Sequence, residues 1–169
     1  MISIQDYAQI SDRDVRAAVI AGWRRDLGKA YRAARVAPYN AAEAGVMLRR
    51  YYPEATAVVF TLHEDGEGTS VTIEQVVGAG DRVLYDDRKW LTDGYFEDQS
   101  DVGDPLGTAA LQLVKRGDGR DNLGRDTGDD EEDFGDWVER LAKGNALFRP
   151  YDACQPDSGA VAFRYDLPF

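Results

Sequence analysis

Cysteine and histidine are almost absent from this chain of 169 residues, which contains one of each. Because an internal disulfide needs two cysteines, the lone Cys154 excludes one, and the chain suits a reducing compartment. A histidine-based catalytic triad would have to use His63, at the end of a predicted strand, where a histidine is usually structural or solvent-exposed. The residue types that catalysis most often recruits are therefore scarce.

Long apolar runs and phosphate-binding loops are missing as well. No stretch approaches the roughly 20 apolar residues that cross a bilayer. Residues 1–10 lack the basic-then-apolar pattern of a secretory signal. The glycines of residues 66–80 fall in predicted hairpin turns and match neither a P-loop nor a dinucleotide-binding fingerprint. We therefore expect a cytoplasmic protein that makes no membrane contact.

The chain does have enough apolar material for a core. Apolar residues make up 43% of it and aromatic residues 11%, which favours a folded chain over a disordered one. A length of 169 residues is that of one ordinary domain. We expect a single acidic domain spanning residues 1–169.

Negative charge predominates and is unevenly placed. The net charge is −11; residues 1–60 carry nine Lys or Arg against six Asp or Glu, whereas residues 61–169 carry eleven against twenty-five. Most of the surface should repel nucleic acids and anionic membranes, so we expect no direct nucleic-acid partner. Any area that attracts anions should lie in the N-terminal third.

The first predicted helix begins at Ser11, which forms a capping box with Asp14. Pro38 should limit its length, because proline removes a backbone donor from a helix interior. Its arginines, among them Arg13 and Arg16, would form a basic surface that is either solvated or turned towards the acidic part of a chain.

A second helix is predicted to start at Asn40, with Glu43 as the reciprocal acid of its cap, and to end before Pro53. The two helices should form an N-terminal hairpin. The apolar positions of the second helix are Met47, Leu48, Tyr51 and Tyr52.

Short runs typical of strands follow, separated by glycine-rich turns that imply antiparallel neighbours. Two further helices and a C-terminal strand are predicted after this meander. The fold class is therefore α+β: a helical hairpin, a three-stranded antiparallel meander, two more helices and a strand that joins the sheet. The predicted strands are Ala55–His63, Ser70–Val77, Arg82–Tyr85 and Ala160–Asp166, and the apolar stripes of the later helices are Leu106, Ala109, Ala110, Leu113, Val114 and Phe134, Trp137, Val138, Leu141.

Residues 126–136, called the acidic segment below, hold seven carboxylates and no Lys or Arg. Placement near a helix N-terminus accounts for some of them, because the helix dipole favours negative charge there. The rest repel one another and have to be solvated, neutralised by a cation or presented to a basic partner. The seven are Asp126, Asp129, Asp130, Glu131, Glu132, Asp133 and Asp136.

No cofactor is expected, and a bound Ca²⁺ or Mg²⁺ is the alternative. Asp118 and Asp121 precede the acidic segment among glycines, in a loop whose oxygens could surround Ca²⁺. An EF-hand that starts at Asp118 would place Leu123 where glycine is required, so that motif is excluded.

A second constellation, Asp87-Arg88-Lys89, has the acid-x-lysine spacing of metal-dependent nucleases. Together with the element order it resembles the restriction-endonuclease-like (PD-(D/E)xK) family. The resemblance implies Asp87 and Lys89 as the acid-x-lysine element, Asp65 or Glu74 as the upstream acid, and Glu43 as the helical glutamate. No Pro-Asp precedes the second strand, and the triplet lies at a strand end.

Carboxylates without histidine, lysine and cysteine partners favour binding over catalysis. We expect a non-enzymatic antagonist or adaptor whose anionic surface engages a basic protein, either as a nucleic-acid mimic facing a nucleic-acid-handling enzyme or as an immunity-type inhibitor of a toxin. The alternatives are a divalent-metal-dependent nuclease and a structural subunit of a homo-oligomer.

Overall fold

A computed structural model of the protein describes residues 1–26, 29–65, 68–87, 105–115, 138–139, 148–151 and 160–169. Within these residues, helices and an antiparallel sheet form an α+β fold, as the sequence predicts. The elements are α1 (Ile4–Gln9), α2 (Arg13–Asp26), α3 (Lys29–Tyr51), β1 (Ala55–Asp65), β2 (Gly68–Gly78), a 3₁₀ turn (Ala79–Asp81), β3 (Val83–Asp86), α4 (Pro105–Val114), β4 (Phe148–Pro150) and β5 (Ala160–Asp166).

The strands form one antiparallel sheet in the order β3-β2-β1-β5-β4. β1, β2 and β3 form the predicted meander, and β5 joins the sheet beside β1, from the pair Ala57 and Asp166 to the pair His63 and Ala160. The sequence does not predict β4, which pairs with β5, because its three residues are too few to show a period.

Helices α3 and α4 cover one face of the sheet and form the main core with it. Alternate β1 residues face this core because side chains of a strand point to opposite faces in turn. The Phe60 ring packs edge-on against Phe148 at 5.2 Å and stacks with Phe163 at 5.6 Å. Alanines on both helices let the two helices approach each other closely. The main core includes Val58, Phe60 and Leu62 of β1, Ala41, Ala44 and Leu48 of α3, and Ala109, Ala110, Leu113 and Val114 of α4.

The other face of the sheet carries a smaller apolar cluster, Ala57, Val59, Val77 and Ala162. Thr61 belongs to this face, since it lies opposite Ala162 in the β1–β5 ladder. Its hydroxyl donates to Oε1 of Glu74 at 2.7 Å. The β1–β2 register shifts at Val59 and Phe60, which leaves Glu74 as the extra residue of a bulge.

Aromatic packing holds α1 and α2 against α3. The Tyr7 ring meets Tyr39 edge-on at 5.3 Å, and Trp23 lies 4.4 Å from Tyr39 between ring centroids. The Tyr39 hydroxyl donates to the carbonyl of Ile2 at 2.5 Å. Ser3 caps α1 by accepting the backbone N–H of Asp6 at 3.0 Å. The sequence does not predict α1, because six residues show too little periodicity.

The predicted helix boundary at Pro38 is wrong. α3 runs from Lys29 to Tyr51 with Pro38 inside it. Proline costs a helix one hydrogen bond and crowds the preceding turn. Residues on both sides of Pro38 are buried: Val36 is fully buried and Leu48 is 2% exposed. The burial of these side chains outweighs the free energy that the proline costs the helix.

Asn40 is not a helix cap, since it lies within α3. Its side-chain nitrogen donates to the carbonyl of Lys115 at 3.3 Å, which ties α3 to the end of α4. Its predicted capping partner Glu43 binds Arg16 of α2 instead. Both residues act over long sequence distances, which a local capping pattern does not reveal.

Ser11 is not the cap of α2 either. Oδ1 of Asp12 accepts the backbone N–H groups of Asp14 at 2.8 Å and Val15 at 3.3 Å, which is the geometry of an N-cap. The carbonyl of Ser11 accepts from Arg16 at 3.2 Å. Arg16, which the sequence predicts on the outer basic surface, is buried instead.

Three of the apolar residues predicted for the last helix, Phe134, Trp137 and Leu141, fall outside the described residues. Val138, which is described, is helical and packs against the main core. No helix in the described ranges is long and apolar enough to cross a bilayer.

Candidate functional site

The acidic segment lies outside the described residues, and so does Cys154. The sequence nevertheless shows where the negative charge is concentrated. Residues 88–104 have two basic and five acidic residues, and residues 116–137 have three and nine. Residues 88–104 directly precede α4 in the sequence. Residues 116–137 follow α4 after Lys115.

Between the N-terminal helices, the side chain of Arg16 is only 1% exposed. It binds Glu43 of α3 through two nitrogens. Nε donates to Oε2 at 2.6 Å and Nη2 donates to Oε1 at 2.9 Å. Nη1 donates to the carbonyls of Ile10 at 2.5 Å and Ser11 at 3.2 Å. The Tyr7 hydroxyl adds a hydrogen bond to Oε2 of Glu43 at 3.2 Å. One guanidinium thus joins α2, α3 and the link that follows α1.

Two groups of this cluster, Arg16 and Tyr7, have raised pKa values, which agrees with an Arg16 that stays charged. Hydrogen bonding to Glu43 raises the pKa of Arg16 above its usual range. Burial, with the Glu43 carboxylate nearby, raises the pKa of Tyr7. Tyr7 is protonated at neutral pH and donates its hydroxyl hydrogen to Oε2 of Glu43.

A cavity of about 410 Å³ opens beside this cluster, bounded by α2, α3 and α4. Cationic side chains come to it from three places: Arg13 of α2, Arg50 of α3 and Lys115, just after α4. Ile20 and Met47 line it with apolar surface. The sequence indicated that anion attraction belongs in the N-terminal third, and Arg13 and Arg50 fit that expectation, but Lys115 joins them only through the fold.

The described structure does not bring together the residues that the nuclease resemblance implies. Glu43 is bound to Arg16 in the helical layer, whereas Glu74 bonds Thr61 on the opposite face of the sheet. Asp87 follows the end of β3 and accepts from the Tyr85 hydroxyl at 3.0 Å. Lys89 and the side chain of Asp65 lie outside what is described.

Within the described ranges, no group of three or more His, Cys, Asp or Glu side chains is arranged to hold a metal ion. Asp118, Asp121 and the acidic segment, on which the Ca²⁺ or Mg²⁺ alternative depends, are outside those ranges. His63 is half-buried on β1, opposite Ser70 of β2.

Sequence reasoning missed Arg16, Tyr7 and the lining of the cavity. One signal was present: Glu43 is a charged residue among the small apolar residues Ala41, Ala42 and Ala44, all three of which are buried. A carboxylate in such a setting needs a cationic partner. Which arginine supplies it depends on helix packing and not on a local pattern.

The comparisons with known proteins do not identify a family. No family model, curated protein or solved structure matches this chain.

Proposed function

We propose that this protein is a non-enzymatic antagonist or adaptor that binds a basic protein through Glu97, Asp98, Asp101 and Asp104 and the carboxylates from Asp126 to Glu139. The observation that carries the proposal is the division of charge. Of the net charge of −11, residues 88–104 and 116–137, which flank α4 in the sequence, carry nine net negative charges. Surplus charge of one sign costs stability through self-repulsion, and a basic partner offsets that cost.

The framework of described residues uses its own carboxylates to pair with its own arginines. Arg82 pairs with Glu54, and Arg164 pairs with Asp81 at 2.9 Å. Buried Arg16 is matched by Glu43. These pairs lie within the framework, whereas the excess of negative charge belongs to residues 88–104 and 116–137, which flank α4 in the sequence. Complementary charge speeds association and makes affinity depend on salt.

The partner is a basic protein, either an enzyme that handles nucleic acid or a toxin. We place both molecules in the cytoplasm, as the lone Cys154 favours. A nucleic-acid mimic would occupy the groove of its target, so an oligonucleotide should displace it. An immunity-type inhibitor would block its toxin without such competition.

The test starts with capture on the tagged protein from a lysate of the native host at low and high salt, with bound proteins identified by mass spectrometry. Affinity for the recovered basic protein is then measured by calorimetry. Replacement of Asp129, Asp130, Glu132 and Asp133 by Ala should weaken binding by about tenfold or more and reduce its salt dependence.

A matched pair of double variants separates the acidic segment from total charge. D129N/D130N and D14N/E64Q change the net charge equally, and Asp14 and Glu64 are exposed framework residues. Only the first pair should weaken binding. Equal affinities for the two would contradict the proposal, and capture of the protein alone, with a defined size by light scattering, would favour the homo-oligomer instead.

A further inference from the structure

The cavity between α2, α3 and α4 is lined by one face of each helix. On α2 the lining residues Arg13, Ala17 and Ala21 recur every four positions, and on α4 Thr108 and Gln112 do the same. Because Ala17 and Ala21 are small, α2 leaves space where larger side chains would fill the gap. A volume of about 410 Å³ falls within the range of sites for small molecules.

The charge of the lining is positive in a chain whose net charge is −11. Glu43 is the one carboxylate that lines the cavity within the described residues, and both of its oxygens accept hydrogen bonds from Arg16. Arg13 and Arg50 are exposed at the cavity, and neither forms an ion pair with another described residue. Lys115 adds a third positive charge.

Apolar groups complete the lining. Ile20 is 8% exposed and Met47 is half-buried, and both face the cavity with Ala17 and Ala21. A ligand that satisfies the whole surface therefore has an anionic group for the arginines and an apolar part for these side chains.

We propose that this cavity binds a small organic anion in which a carboxylate or phosphate group is attached to an apolar or aromatic body. Arg13 and Arg50 contact the anionic group, and Ile20 and Met47 contact the body. The proposed contacts use no residue of the acidic segment, so they stand whether or not the protein engages a basic partner.

The test uses the full chain and two fluorescent probes. Anilinonaphthalene sulfonate is an aromatic anion, and phenylnaphthylamine has the same aromatic frame without the charge. The sulfonate should bind saturably at one site. Because charge-assisted hydrogen bonds are lost, R13Q/R50Q should weaken sulfonate binding by about tenfold or more, and should alter binding of the neutral probe by less than about twofold.

The control R25Q/R35Q changes the same charge on the same two helices, at exposed residues that do not line the cavity. It should retain sulfonate binding. A further variant, A17L, fills the cavity and should weaken binding of both probes. Equal losses in the two arginine doubles, unchanged binding in A17L, or no saturable binding of the sulfonate would overturn the proposal.

Competition identifies the chemical class of the natural ligand. Octanoate displaces the sulfonate if the site accepts carboxylates, and phenyl phosphate displaces it if the site accepts phosphates. Displacement by either one supports the proposal. Displacement by neither at millimolar concentration would overturn it.

Discussion

Arg16 and Glu43 form a two-pronged ion pair between α2 and α3, with Nε to Oε2 at 2.6 Å and Nη2 to Oε1 at 2.9 Å. The Arg16 side chain is 1% exposed and that of Glu43 is 13% exposed. A buried charge is tolerated only when its hydrogen bonds are satisfied. Arg16 meets this condition because its third nitrogen reaches the carbonyls of Ile10 and Ser11.

Removal of the Arg16 charge should be costly. Arg16→Met leaves Glu43 without its cation, and we expect the free energy of unfolding to fall by about 3–5 kcal/mol. Urea denaturation followed by tryptophan fluorescence measures it. The control is Arg82→Met, because Arg82 and Glu54 are 61% and 70% exposed, and its effect should stay below about 1 kcal/mol. Similar losses in both variants would show that burial of the Arg16–Glu43 pair does not increase its contribution to stability.

A substitution at Asn40 tests whether its side chain caps a helix or binds the carbonyl of Lys115 at the end of α4. Aspartate caps helices as well as asparagine does, so a cap would tolerate Asn40→Asp. In the structure the Asn40 nitrogen donates to the carbonyl of Lys115 and the residue is 1% exposed. Aspartate cannot donate, and we expect a loss of about 1–3 kcal/mol in unfolding free energy. Chemical denaturation measures it, and unchanged stability would restore the capping interpretation.

Gly45 is packed closely against the side chains of Leu167 and Phe169. A Cβ atom there would lie 3.0 Å from Cδ2 of Leu167 and 3.1 Å from Cζ of Phe169. Phe169 is held in turn by Arg49, whose guanidinium lies 4.3 Å from its ring centroid. We expect Gly45→Ala to lower the unfolding free energy by about 1–3 kcal/mol.

The matched control for this change is Gly22→Ala on α2, where nothing lies within 4 Å of an added Cβ. Alanine favours a helix over glycine, so this variant should gain up to about 1 kcal/mol. Thermal melts of the two proteins should therefore shift in opposite directions. A shift of the same sign in both would contradict the close packing at Gly45.

Tyr165 links stability to alkaline pH. Its hydroxyl is buried without a hydrogen-bond partner among the described residues, and burial raises its pKa. The folded state therefore keeps a proton that the unfolded state loses above pH of about 10, so stability should fall as pH rises beyond that point. Tyr7, whose pKa burial also raises, acts in the same direction.

Tyr165→Phe removes an unsatisfied hydroxyl. We expect it to raise the unfolding free energy at pH 7 by about 1 kcal/mol and to reduce the alkaline loss. Denaturation at pH 7 and above pH 10 tests both. Tyr51→Phe, at a position 51% exposed, is the control and should match the original protein at pH 7. A Tyr165→Phe protein that is less stable at pH 7 would reveal a partner for the hydroxyl.

Local patterns predicted the sheet well and the N-terminal helices poorly. The runs in β1 and β2 are rich in strand-favouring residues and end at turn residues, and β5 alternates; that information is local. Pro38, Asn40 and Glu43 were interpreted by local rules too, but their roles depend on contacts with other helices. The acidic segment remains a prediction, and the cavity could not be predicted because its lining combines four helices with the residue after α4.

The excess of negative charge, the lack of an internal disulfide and the strand-favouring runs of the sheet depend on residue type or on near neighbours, so they can be read from the sequence. Which charges are buried depends on the tertiary fold. Arg13 and Arg16 are three positions apart on α2, yet Arg13 is exposed at a cavity and Arg16 is 1% exposed. Burial of a cation is affordable only where anionic and carbonyl oxygens replace water. For Arg16 those oxygens come from Glu43 of α3 and from the link between α1 and α2, which only folding brings together.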